Sequence, residues 1–149
     1  MGNEFGHPEW IDFPREGNNW SYHYARRQWG LADNPRLKYQ WLKAFDADLI
    51  QIVTTLREHE YHYVSIDEYR RLISFVRDNY LFVVNLSPNT SYTDFSLPTF
   101  NGKYRIALNS DNSEYGGFNR VDTDMTYSAR NNSIKLYLPN RTGMVLKKL

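Results

Sequence analysis

The chain has 149 residues, enough for one domain or for one domain and part of another, and enough to bury a sizeable core. Eighteen lysines and arginines against 17 acidic residues leave a net charge of +1, so no global field draws the chain to nucleic acid or to an anionic membrane, and neither is expected as a partner. There is no cysteine and no apolar run of spanning length, which excludes a disulfide framework, a thiolate zinc site and a membrane helix; a cytoplasmic protein is expected.

The opening thirty residues hold most of the chemically informative side chains. Trp10, Trp20 and Trp29, with Phe5, Phe13, Tyr22 and Tyr24, stand among Glu4, His7, Glu9, Asp12, Arg15, Glu16, His23, Arg26 and Arg27. Rings beside charged hydrogen-bonders suit a ligand with flat apolar patches and many hydroxyls, which describes a sugar. They equally suit a buried loop whose aromatics are core and whose charges are paired. Residues 1–5 read as the end of a strand, broken by Gly6 and Pro8. Residues 21–29 read as a helix, with Asn19 or Ser21 as its cap and Arg26 and Arg27 near its C-terminal end, where cations suit the dipole.

A second helix follows. Asn34-Pro35 supplies an N-cap residue and a proline for the first helical position, and Leu37, Trp41, Phe45, Leu49, Ile52 and Leu56 then recur on one face. From about Tyr61 the character changes to short strands. Residues 61–66, 72–76, 81–86, 92–97, 104–108, 134–138 and 144–146 are rich in β-branched and aromatic residues, punctuated by Asp78-Asn79, Asn101-Gly102, Gly116-Gly117, Asn131-Asn132 and Gly143. The spacing predicts an antiparallel sandwich, with residues 72–76 and 81–86 as a hairpin. Residues 111–120 read as a structural loop in which Asp111 and Asp122 cap backbone amides; the functional alternative is a secondary contact with polysaccharide through Tyr115 or Phe118.

A self-contained active site has little support. Glu4, Glu9, Asp12 and Glu16 are carboxylates of the kind glycoside chemistry uses, but their spacing selects no pair. His7, His23, His59 and His62 form no HExxH pattern, and no G-x-S-x-G elbow occurs, so no metal or cofactor is expected.

Asn3-Glu4-Phe5-Gly6-His7-Pro8-Glu9-Trp10, followed by Asp12-Phe13-Pro14-Arg15, Gly17-Asn18-Asn19-Trp20-Ser21-Tyr22 and Tyr24-Ala25-Arg26-Arg27-Gln28-Trp29, resembles the 1,4-alpha-glucan (glycogen and starch) branching enzymes of the alpha-amylase superfamily. Leu108-Asn109-Ser110-Asp111, Gly116-Gly117-Phe118 with Arg120, and Pro139-Asn140-Arg141-Thr142 resemble the C-terminal domain of those enzymes. The likeness covers nearly the whole chain and is weakest between residues 54 and 77.

The resemblance implies an α+β chain: the last strand and helices of a (β/α)8 TIM barrel over residues 1–58, then a C-terminal antiparallel β-sandwich over residues 59–149. The loop over residues 6–19 would leave the C-terminal end of the eighth barrel strand, the face on which barrel enzymes build their sites. This makes His7, Glu9, Trp10, Asp12, Arg15 and Trp20 candidate substrate-binding residues for an α-glucan. In the family the nucleophilic aspartate, the acid/base glutamate and the His-Asp pair all precede the Asn-Glu-Phe-Gly-His motif. No catalytic residue is therefore expected here. The chain alone is expected to be inactive, its partner the N-terminal barrel portion of the same enzyme, and the second helix is expected to face neighbours outside this chain. The alternative is a non-catalytic β-sandwich module that binds glucan or another protein.

Overall fold

The structure is a computed structural model that describes residues 2–57 and 59–149. Among the described residues two helices, α1 (Trp29–Asp33) and α2 (Tyr39–Thr55), precede eight strands. These are β1 (His62–Asp67), β2 (Leu72–Arg77), β3 (Tyr80–Asn85), β4 (Tyr92–Pro98), β5 (Gly102–Asn109), β6 (Thr126–Ala129), β7 (Ser133–Leu138) and β8 (Thr142–Lys148). All pairing is antiparallel, in a six-stranded sheet of order β1-β2-β3-β8-β5-β6 and a two-stranded ribbon of β4 and β7.

The period-2 side-chain alternation of strands builds the layers. β3 sends Leu81, Val83 and Asn85 to the buried inner face and leaves Phe82 and Val84 half-buried on the other. Leu97 of β4 and Ile134, Leu136 and Leu138 of β7 close over that inner face, where they meet Leu72, Val76, Leu81, Tyr104, Met144 and Leu146. Asn85 is tolerated in this core because its amide is satisfied: Nδ2 donates to the carbonyls of Thr90 (3.0 Å) and Leu138 (3.1 Å), and Oδ1 accepts from the Ser87 amide (2.9 Å). The β2–β3 hairpin turns at Asp78-Asn79, with Arg77 opposite Tyr80 and Asp78 in the left-handed region at φ 54°.

On the outer face Tyr80, Leu108 and Val145 form a smaller core with Phe45, Leu49, Ile52 and Leu56. The apolar stripe of α2 therefore packs on the chain's own sheet, which corrects the expectation that it faces neighbours outside the chain. Covering an exposed sheet face is the nearer way to take those rings and branches out of water.

Three local expectations also change. Residues 3–5 form a 3-10 turn, not a strand end, with Gly2 and Gly6 both left-handed; a strand needs a hydrogen-bonded neighbour, and here the amides of Phe5, Gly6 and His7 bond within the turn instead. Met1 lies outside the described residues. Residues 21–28 are turns and not a helix: Asn19 and Trp20 enter them in the left-handed region, and the Ser21 hydroxyl accepts from the His23 amide, a side-chain bond that competes with helix formation. Asn34-Pro35 opens a turn, with Asn34 accepting from Arg36, and α2 starts four residues later at Tyr39.

Candidate functional site

Residues 9–24 form a surface loop held by one polar hub. Asp12 accepts from Arg15 Nε at 3.0 Å and from its Nη2 at 3.3 Å, while Asn18 Nδ2 reaches the second carboxylate oxygen at 3.0 Å and the Phe13 carbonyl at 3.0 Å. Asn18 Oδ1 accepts in return from the Arg15 and Ser21 amides, and the Asp12 amide donates to the Tyr24 carbonyl. The Arg15 side chain, then that of Asn18, hold the Asp12 carboxyl below the usual carboxylate range, and Asp12 holds the Arg15 guanidinium above its own. Among residues 10–24 the pair is a charged brace.

The brace presents rings to solvent. Trp10 is 83% exposed, Trp20 67% and Tyr22 77%, with Phe13 and Tyr24 also exposed. Trp20 sits at φ 58°, a region that costs a bulky residue strain, and its amide is held on the Arg15 carbonyl at 3.0 Å.

His7 belongs to a second, more enclosed cluster. Its Nε2 accepts from the Gln28 amide at 3.1 Å, and its Nδ1 lies 3.0 Å from the Glu9 carbonyl and 3.3 Å from the Glu9 amide. Its ring meets buried Phe5 edge-on, Phe5 in turn packs on Trp29, and Arg27 lies over Trp29 while pairing with Glu4 at 3.4 Å. His7 therefore positions backbone. The Glu9 side chain is exposed. The structure thus brings Asp12, Arg15 and Trp20 into one constellation, sets Trp10 beside its entry, and joins His7 and Glu9 through the Glu9 backbone. Asn18, the centre of the hub, was missed; its signal was the Gly17-Asn18-Asn19 turn tripeptide, and an asparagine in such a turn bonds its own neighbours.

The second loop, residues 109–120, is built around Asp111, whose side chain is 2% exposed. Arg120 donates to it from Nε and from Nη2, the latter at 2.8 Å, and the Phe118 and Arg120 amides add to the same carboxylate. Burial alone would raise the Asp111 carboxyl; the Arg120 and amide hydrogen bonds outweigh it and hold it low. Arg120 Nη1 also donates to Asn140 at 2.7 Å, tying this loop to the β7–β8 turn. The Tyr115 hydroxyl donates to Asp48 of α2 at 2.5 Å, and burial followed by that bond pushes the phenol strongly up. Tyr115 is thus a strut between loop and helix, whereas Phe118 is 80% exposed.

The six-stranded antiparallel sheet closed by a two-stranded ribbon is an all-β domain, and residues 63–148, which hold nearly all of it, match the family described as Alpha amylase, C-terminal all-beta domain. The chain belongs to that family. Its likeness to proteins named 1,4-alpha-glucan-branching enzyme extends beyond the domain to the whole chain: 44% identity to that of Candida glabrata over 99% of this chain, 43% to that of Saccharomyces cerevisiae over 97%, and 41% to that of Felis catus over 100%. The chain spans 22–23% of the length of these relatives.

Proposed function

We propose that this chain works as the C-terminal part of a 1,4-alpha-glucan branching enzyme in the cytoplasm, within glycogen-type biosynthesis. The intact protein would cleave an α-1,4 glucan, hold the released segment as a covalent glycosyl intermediate on a barrel carboxylate, and transfer it to a 6-hydroxyl to form an α-1,6 branch. On this reading residues 1–58 complete the barrel and residues 59–149 form the sandwich docked against it. The braced loop with Trp10, Asp12, Arg15 and Trp20, together with His7 and Glu9, then forms one rim of the glucan cleft: the indoles stack on sugar faces, and the polar side chains meet hydroxyls or hold the rings in place.

The observation that supports this reading best is identity above 40% that runs through the opening segment as well as the sandwich, since the domain match alone begins at residue 63. The test is a chimaera in which this chain replaces the corresponding segment of the Saccharomyces cerevisiae relative. New α-1,6 linkages and a shift of the amylose–iodine spectrum are expected. A folded chimaera without branching activity would overturn the assignment, and would favour a binding module if it still held glucan.

A further inference from the structure

The turn between β1 and β2 and the loop between β3 and β4 enclose a groove of about 600 Å³ lined by Tyr69, Arg70, Arg71, Asn89, Thr90 and Tyr92. It lies in the sandwich, on residues that the rim reading does not use. Both walls are fixed. The Leu86 amide donates to the Arg71 carbonyl at 2.9 Å and the Tyr92 hydroxyl to the Arg70 carbonyl at 3.3 Å, so the two loops are stitched to each other. Behind the second wall, buried Asn85 holds the Thr90 carbonyl, the Ser87 hydroxyl accepts from the Thr90 amide, and Asn140 and Arg141 both donate to the Pro88 carbonyl.

The lining divides into groups already used and groups left available. Arg70 is committed to Asp67, Nη1 to Oδ2 at 2.9 Å. The Arg71 guanidinium, the Asn89 amide and the Thr90 hydroxyl have no side-chain partner among the described residues, and Tyr69 is 93% exposed. A rigid groove that offers a free aromatic face together with an unpaired guanidinium, an amide and a hydroxyl has the chemistry a neutral polyhydroxy ligand requires, and its volume suits a short oligosaccharide. The Phe118 surface differs: its neighbours Arg120 and Asn140 are consumed by each other and by Asp111, leaving a ring without free donors.

We infer that this groove is a second saccharide-binding site on the sandwich, with Tyr69 as stacking platform and Arg71, Asn89 and Thr90 as hydroxyl partners, taking a linear glucan. The choice of glucan rests on the proposed function; the site itself does not involve the opening loop.

The experiment is calorimetric titration of the chain with maltoheptaose, in the parent and in a Trp10→Ala/Trp20→Ala background. Binding is expected to persist in that background, and Tyr69→Ala or Arg71→Gln there should weaken it about tenfold, while Tyr69→Phe keeps most of it. Thermal melts should not move for Tyr69→Ala, since the side chain is almost wholly exposed, so lost binding is not lost folding. Binding that vanishes in the Trp10/Trp20 background, binding indifferent to Tyr69 and Arg71, or no binding by the parent chain would each overturn the groove assignment. The rim reading is tested separately, by turnover of Trp10→Ala in the branching-competent chimaera, so failure of the groove leaves that reading standing and failure of the rim leaves the groove standing.

Discussion

The guanidinium of Arg120 meets the carboxylate of Asp111 at 2.8 Å, with Asp111 almost fully buried and Arg120 about two-thirds covered. Cutting this pair from the basic side leaves a carboxylate in the interior with only backbone amides to answer it. Arg120→Ala should cost about 3 kcal/mol, measured by denaturant unfolding at neutral pH. The pH dependence carries a definite sign. Asp111 is depressed in the folded protein, so its contribution is present above the unfolded carboxylate value of about 3.9 and is lost as pH falls through the lower folded value. In the variant the carboxyl loses the Arg120 side-chain bonds that lower it, so it sits higher than in the parent and protonation relieves it sooner. The stability gap between the two proteins should therefore narrow between about pH 5 and pH 3. A gap independent of pH would show that the loss comes from packing.

Gly116 ends the 3-10 turn Ser113–Tyr115 at φ 77°, and a Cβ there would lie 2.2 Å from the Trp41 ring on α2. Gly116→Ala should destabilise by at least about 2 kcal/mol, combining left-handed strain with overpacking. Chemical denaturation would measure this, and a change below about 0.5 kcal/mol would mean that α2 is not docked where the structure has it.

The Tyr115 hydroxyl to Asp48 bond makes a spectroscopic prediction. Because the folded phenol is raised, the bond contributes fully below the unfolded tyrosine value of about 10 and is lost only as pH rises beyond it. In an ultraviolet alkaline titration three of the 12 tyrosines, Tyr104, Tyr115 and Tyr127, should ionise late, and Tyr115→Phe should reduce the amplitude of that late step by one tyrosine. A late step unchanged in Tyr115→Phe would assign it elsewhere.

Hydrogen exchange should separate the layers. The amides of β3 and β8 lie in the middle of the six-stranded sheet and should exchange slowest; α2, packed on that sheet through Phe45 and Leu49, should follow, and residues 10–24 should be fastest because their loop is exposed and held by few backbone bonds. Loop amides slower than those of β3 would contradict this layering.

How much of this was legible depends on which signal each part relied on. Seven strands announced themselves because β-branched and aromatic residues crowd into short runs between turn residues, as in Leu72–Arg77 and Tyr80–Asn85. Thr126–Ala129 did not, since Thr-Tyr-Ser-Ala is too short to show a period. The stripe of α2 was readable, but its partner was not: periodicity says that a face is buried, never against what. At the opening segment the aromatic and ionic composition singled out Asp12, Arg15 and Trp20, which the fold brings together, while the roles of His7 and Asn18 are set by bonds to the backbone of Gln28, Glu9, Arg15 and Ser21, which side-chain patterns do not encode. The Asp111–Arg120 pair spans nine residues through two left-handed or tight turns, a geometry that only the folded loop reveals.

On the proposed function the opening loop touches glucan at the cleft rim and does not merely pack. Trp10→Ala in the branching-competent chimaera tests it most directly, with kcat/KM and Tm measured on the same preparation. Trp10 is 83% exposed, so Tm should stay within a few degrees, while kcat/KM should fall about tenfold, equivalent to about 1.4 kcal/mol of lost transition-state stabilisation. Unchanged kcat/KM, or a loss of activity matched by an equal loss of stability, would contradict it.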